Sequence, residues 1–142
     1  MKNDWVYDLE TYPNAFTIAL EHAASGSRCA WEVSEWVNES SQIIRMMDYL
    51  KATGGRMVGF NNLGFDYPVL HLLYRMRTAD AATLYAKAQA IIASQELNRF
   101  QHQVYPSDRV VEQIDLFKIH HFDNMARSTS LKLLEFNMRL KS

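Results

Sequence analysis

The feature that most constrains the fold is an apolar run near the start of the chain that ends in two acidic residues, Asp8 and Glu10. Residues 4–10 are apolar on both alternating faces until the acids begin, and this pattern predicts a central strand covered on both sides. Residues two apart on a strand point to the same face, so the two carboxylates lie side by side. Because like charges repel, and more strongly when buried, this arrangement requires a compensating positive charge.

The remaining sequence predicts strands first and then alternating helices and strands. Residues 15–23 and 27–36 form two strands joined by a hairpin turn. A helix within residues 38–55 has Asn38 or Ser40 as its N-cap and ends at Gly54 and Gly55. The later elements are a strand (56–60), a helix (66–77), a helix (80–100), a strand (109–119) and a helix (128–140). This order predicts an α/β fold with a mixed sheet flanked by helices.

Composition and charge limit the class of protein. The 142 residues fit one domain, and 48% hydrophobic with 22% charged residues is typical of a globular chain. A net charge of −1 argues against a protein that holds duplex DNA by charge alone. Without an apolar run near the roughly 18–20 residues of a membrane span, and without a signal peptide, we expect no membrane partner and a cytoplasmic location. The single cysteine, Cys29, excludes an internal disulfide.

A third acid, Asp66, follows the predicted strand 56–60 and begins the next helix. If that strand lies parallel to the first one, their carboxyl ends share an edge where open α/β sheets place their sites. Carboxylate oxygens there suit Mg²⁺ or Mn²⁺, and two such ions can act together on a phosphodiester. Simpler alternatives remain open: Asp8 and Glu10 are solvated strand acids, and Asp66 is a helix N-cap.

Two stretches resemble the motifs of one enzyme family. YDLETYPNAF (residues 7–16) resembles the first motif, Asp-x-Glu, of the DEDD-type 3′–5′ exonucleases, which have a ribonuclease H-like fold. VGFNNLGFDYPVL (residues 58–70) is similar to their second motif, in the form seen in proofreading domains of family B and phage DNA polymerases. The residues that fit the second motif together are Gly59, Asn61, Phe65, Asp66, Pro68 and Leu70.

The resemblance implies a function and its acidic residues. It implies a metal-dependent 3′–5′ exonuclease domain over residues 1–142 that hydrolyses single-stranded DNA from its 3′ end by two-metal-ion catalysis. A DNA polymerase, attached or associated in replication, is the implied partner. Asp8, Glu10 and Asp66 match the catalytic metal ligands for two Mg²⁺ or Mn²⁺ ions.

The resemblance also implies contacts with the substrate. Thr11 follows the first motif where relatives contact the terminal nucleotide, and Asn61 and Phe65 match residues that line the single-strand channel. Asn61 would donate hydrogen bonds to a nucleotide, and Phe65 would offer an aromatic face to a base. The alternatives are that Phe65 is a core residue and that Asn61 is a turn residue.

The chain departs from the family in its third motif. Neither Tyr-x3-Asp nor His-x4-Asp occurs between Asp66 and Ser142, and Asp115 looks like a strand-end residue that relatives carry without a catalytic role. The domain is therefore interpreted either as incomplete at its C-terminal end or as a catalytically inactive module that binds nucleic acid or protein.

Overall fold

The computed structural model describes residues 3–98 and 101–117, with side chains for all of these except residues 96–98. The strands are β1 (Asp4–Tyr12), β2 (Ala15–His22), β3 (Arg28–Ser34), β4 (Arg56–Gly59) and β5 (Glu112–Asp115). The helices are α1 (Ser40–Thr53), α2 (Asp66–Met76), α3 (Ala81–Asn98) and a short 3₁₀ helix (Pro106–Asp108). None of the helices in these described ranges has the length and apolar character needed to cross a membrane.

The strands form one mixed five-stranded sheet in the order β3-β2-β1-β4-β5. The first three strands form an antiparallel meander. β4 then joins β1 in parallel, and β5 joins β4 in parallel. This confirms the predicted α/β class with a mixed sheet, and it places the acid-bearing strand β1 at the centre of the sheet.

The described core lies on one face of this sheet. Tyr7 and Leu9 of β1 point into it with side chains from β2, β3 and β4, and all three helices contribute apolar residues. On the opposite face of β1, Val6 is half-buried, whereas Asp8 and Glu10 are exposed. The predicted cover on both sides of β1 is thus present on one side in the described residues. The helix predicted over 128–140 lies outside them.

The two ends of α1 differ in how well the sequence predicted them. The predicted stop is confirmed, because Gly54 adopts a left-handed conformation (φ 68°) that glycine adopts without steric cost. The predicted start is wrong by one position, since the N-cap residue is Glu39. Asn38 still supports the helix start, because its side-chain oxygen accepts hydrogen bonds from the amide (3.1 Å) and hydroxyl (2.6 Å) of Ser40.

β5 is shorter than the strand predicted over 109–119. Pairing with β4 covers only Glu112 to Asp115. Before it, the Val110 amide donates to the hydroxyl oxygen of Tyr67 (2.8 Å) instead of to a neighbouring strand. The apolar pattern of this segment reflects packing of Val110 and Val111 against the core, which does not require ladder pairing.

A buried polar network connects β1, β5 and the loop after β4. The Tyr7 hydroxyl donates to the side-chain oxygen of Gln113 (2.7 Å), which also accepts from the side-chain amide of Asn62 (2.9 Å). Gln113 in turn donates to the carbonyl of Val111 (3.2 Å). A Cβ atom on Gly59 would lie 2.9 Å from the Cβ of Asn62, so the loop packs directly on the end of β4. Gln113 therefore links three segments below the sheet edge.

We predict that Gln113→Leu destabilises the protein more than Tyr7→Phe. Tyr7→Phe removes one hydrogen bond and leaves Gln113 with its Asn62 donor, so we expect a loss of about 1 kcal/mol. Gln113→Leu leaves two buried donors without an acceptor, so we expect about 2–4 kcal/mol. Urea denaturation measures both free energies of unfolding. Exposed Glu112→Gln on the same strand is the control, and equal losses for the two buried variants would contradict the assigned role of Gln113.

Candidate functional site

The candidate site lies where β1 extends beyond its parallel neighbour. Pairing between β1 and β4 ends at Val6 and Val58, and β4 itself ends at Gly59. The backbone amide of Leu9, farther along β1, donates instead to Oδ2 of Asp66 (3.3 Å). A side-chain carboxylate thus occupies the place of a strand carbonyl, and it brings Asp66 to the carboxyl-terminal half of β1.

Asp66 is positioned by the loop that leads into α2. It is the first residue of α2, and the N-cap residue is Phe65, which makes no side-chain capping hydrogen bond. The alternative interpretation of Asp66 as the N-cap is therefore wrong. Its carboxylate bonds across to β1 and lies in the first helical turn, where the helix dipole favours negative charge.

The electrostatic environment of Asp66 is unfavourable to a bare carboxylate. Burial, followed by the negative charge of Asp8, raises the pKa of Asp66 to about 7, although the Leu9 amide acts in the opposite direction. The charge of Asp115 raises it further. Asp8 and Asp66 therefore share one region of negative potential, and a proton or a cation is needed there near neutral pH.

Glu10 is on the same face of β1 as Asp8 but has a different neighbour. The hydroxyl of Tyr12 donates to Oε2 of Glu10 (3.2 Å), and this bond raises the pKa of Tyr12. Within the described ranges, no three His, Cys, Asp or Glu side chains form a group that could hold a metal ion. The charge of Asp8 thus acts on Asp66, whereas Glu10 lies on an exposed part of the strand and bonds to Tyr12.

The residues at this edge fit a hard divalent cation in their chemistry. The donors are carboxylate oxygens, which Mg²⁺ and Mn²⁺ prefer, and these ions commonly bind through one or two carboxylates with water or phosphate completing the shell. Repulsion between the carboxylates of Asp8 and Asp66 is one cause of the raised pKa of Asp66, and a bound divalent cation would relieve that repulsion. Asp8 and Asp66 would hold such an ion.

Asp115 is a structural residue of the site whose role the sequence did not reveal. Its buried carboxylate accepts hydrogen bonds from the amides of Asn61 (2.8 Å) and Leu63 (3.1 Å), and also from the amide of Phe117 (3.0 Å). It is paired in register with Gly59, so it lies directly beside the loop. The sequence signal for this role was an acidic residue at the end of an apolar strand. In the structure, Asp115 supports the loop that positions Asp66.

The three predicted substrate residues occupy different environments. Asn61 is exposed and has a left-handed backbone (φ 56°), and its carbonyl accepts from the amides of Gly64 (3.2 Å) and Phe65 (3.1 Å). Asn61 is therefore a turn residue whose side chain faces solvent. Phe65 is half-buried against the core. Thr11 pairs with Phe16 and, by strand alternation, points to the face opposite Asp8 and Glu10.

Comparison with known proteins adds no relative. The chain matches no protein-family model, no curated protein and no solved structure. The geometry above is therefore the basis for a functional proposal.

We predict that Asp66→Asn stabilises the metal-free protein at pH 8. Because the pKa of this carboxyl is raised to about 7, the folded state retains a proton that the unfolded state releases near pH 4. Wild-type stability should therefore fall as the pH rises from about 4 to 7, by on the order of 1.4 kcal/mol per unit of pKa shift.

Urea denaturation in EDTA between pH 4 and pH 8 measures this effect. Asp66→Asn should remove most of the decline, whereas exposed Glu35→Gln should retain it. Parallel pH profiles for wild type and Asp66→Asn would contradict the assigned environment of Asp66.

We predict that Asp115→Asn loosens the loop after β4. An amide side chain has one acceptor oxygen and directs an NH₂ group at a backbone amide, so about 2–4 kcal/mol of stability should be lost. Hydrogen exchange at the backbone amides of Asn61 and Leu63 should also become faster in this variant, because both amides lose their acceptor. Glu112→Gln on the same strand is the matched control, and unchanged exchange at both amides would show that Asp115 does not hold the loop.

Proposed function

We propose that this chain is a DEDD-type 3′–5′ exonuclease domain of the proofreading kind that hydrolyses single-stranded DNA with two divalent metal ions. The observation that carries the proposal is the approach of Asp66 to β1, where its carboxylate bonds to the Leu9 amide and interacts with Asp8. The two stretches with motif resemblance are distant in sequence, yet Asp66 bonds to the Leu9 amide of β1 and the charge of Asp8 acts on it. The mixed sheet and its strand order are compatible with a ribonuclease H-like fold.

In this proposal the three acidic residues of the motifs share the binding of the metal ions. Asp8 and Asp66 would hold Mg²⁺ or Mn²⁺, and Glu10 would join them once its carboxylate turns from the Tyr12 hydroxyl. The bound ions would supply the positive charge that stabilises the attacking and leaving oxygens of the phosphodiester. The Leu9 amide fixes the orientation of Asp66, and Asp115 fixes the loop before it.

The substrate end would lie beside the same edge. The exposed side chain of Asn61 would donate to a nucleotide, whereas half-buried Phe65 would offer only part of its ring to a base. Thr11 is adjacent to Glu10 on β1, so its backbone is near the proposed 3′ end even though its side chain points to the other face. A cytoplasmic DNA polymerase, attached or associated, is the proposed partner in replication.

A catalytically inactive module that binds nucleic acid is the second candidate. It is favoured by the bond between Tyr12 and Glu10 and by the lack of a three-residue metal group in the described part of the chain. The two candidates differ in whether metal binding leads to cleavage, and one set of variants separates them.

We predict that Asp8→Asn and Asp66→Asn each abolish cleavage of single-stranded DNA. With a 5′-labelled oligonucleotide and Mg²⁺, the wild type should shorten the strand from its 3′ end, and each variant should lose at least about 100-fold in rate. EDTA should stop the reaction, and Glu35→Gln should keep full activity.

A second readout follows metal binding directly. Mn²⁺ should raise the Tm of the wild type at pH 8 and leave that of the two variants unchanged. A Tm increase with oligonucleotide binding but no shortening would favour the inactive module. Equal digestion by wild type and variants, or no response to Mn²⁺, would overturn the proposed metal site.

A further inference from the structure

A second group of polar side chains lies between α2, α3 and the segment that leads to β5. The ammonium nitrogen of Lys87 is 3.0 Å from Nδ1 of His102, and the hydroxyl of Tyr67 is 3.1 Å from Nδ1 of His71. The charge of Lys87 acts on both histidines. We call Lys87, His71 and His102 the cation cluster; all three are half-buried.

The hydrogen-bond pattern leaves this cluster with donors only. A lysine ammonium has no acceptor, so Nδ1 of His102 accepts from Lys87 and the ring proton is on Nε2. The amides of Val110 and Val111 both act as donors to the Tyr67 hydroxyl oxygen, so this hydroxyl gives its own proton to Nδ1 of His71, whose ring proton is likewise on Nε2. Two imidazole N–H groups and one ammonium group are therefore available to a ligand that accepts hydrogen bonds.

The charges around the cluster are mostly positive. Burial lowers the pKa of Lys87, and burial followed by the Lys87 charge lowers that of His102. The pKa of His71 is lowered by burial, then by Arg75, and in part by Lys87, whereas Asp108 acts in the opposite direction. Within the described ranges Lys87 forms no salt bridge. An anion bound to these donors would therefore be stabilised by the positive charges of Lys87 and Arg75.

Arg109 adds a further positive charge near Tyr67. Its Nε is buried and has no hydrogen-bond partner within the described part of the chain, and its charge acts on Tyr67, the residue that bonds to His71. The charge of Arg109 therefore adds to the positive potential around Tyr67 and His71. This observation is independent of the Lys87 contact, and it points to the same chemistry.

We propose that the cation cluster binds a backbone phosphate of single-stranded nucleic acid. Tyr105, which is 75% exposed, lies on the same loop as His102 and provides an aromatic face of the kind on which bases stack. Positive groups together with an exposed aromatic side chain suit a nucleic-acid strand better than a free anion. His71 follows Asp66 on α2 by about 7.5 Å along the helix axis, so this site is separate from the acidic edge. The choice of DNA as the strand rests on the proposed function.

Oligonucleotide binding in EDTA tests the proposal without cleavage. By fluorescence anisotropy, Lys87→Gln should weaken binding of a labelled oligothymidylate about 5- to 10-fold, and it should reduce the salt slope by about 0.7, the value for one phosphate contact on a single strand. Lys51→Gln, an exposed lysine at the end of α1, is the matched control and should change neither quantity. Thermal denaturation checks that each variant is folded. If Lys87→Gln does not fold, His102→Ala takes its place.

Histidine NMR locates the contact. On addition of inorganic phosphate or of the oligonucleotide, the imidazole resonances of His71 and His102 should shift together, and those of His22 should not. Phosphate shifts without an effect of Lys87→Gln on oligonucleotide affinity would overturn the assignment to a nucleic-acid strand. Unchanged histidine resonances with both ligands would overturn the site itself. Because no metal or cleavage is involved, either result is independent of whether the acidic edge is a nuclease site.

Discussion

The hydrogen bond from the Leu9 amide to Asp66 is the contact on which the candidate site depends. It exists because β4 stops while β1 continues, which leaves a strand amide without a ladder partner. A backbone amide in a partly buried place must be satisfied, and a carboxylate at the start of the next helix can do so. Satisfying this amide has an electrostatic consequence, because it holds a second carboxylate where the charge of Asp8 acts on it.

The loop between β4 and α2 is held firmly enough to maintain that arrangement. The carboxylate of Asp115 accepts hydrogen bonds from two backbone amides of the loop. The network of Tyr7, Gln113 and Asn62 holds the loop through the side chain of Asn62. Both supports come from β5, a strand of four residues at the edge of the described sheet. The short parallel strand thus contributes little core area but determines where the acidic edge forms, because it provides the side chains that fix the loop.

Local signals in the sequence predicted most of the described helices and strands, but they did not predict the hydrogen bonds between residues that are distant in sequence. The glycine stop of α1 depends only on neighbouring residues, so it could be predicted directly, whereas the cover of β1 on one face depends on elements distant in sequence. The role of Asp115 depends on its register beside Gly59, and the length of β5 depends on the bond between Val110 and Tyr67. The acids were expected at one edge because parallel strands share their carboxyl ends. That Glu10 bonds to Tyr12 was not expected, since two side chains on one strand face have several possible partners.

The two candidate sites place a negatively charged acid and a hydrogen-bond donor on one helix. At the first turn of α2, Asp66 contributes to an excess of negative charge, and one to two turns later His71 belongs to a group of donors next to Lys87. A phosphodiester strand could satisfy both regions, since its phosphates would accept from the cluster and its end would reach the acids only with cations between them. A protein ligand with acidic side chains could occupy the cluster but would gain nothing from metal ions at the other edge. If both proposals hold, the separation between Asp66 and the donors along α2 suits a ligand that carries phosphates and is joined to the acids through divalent cations.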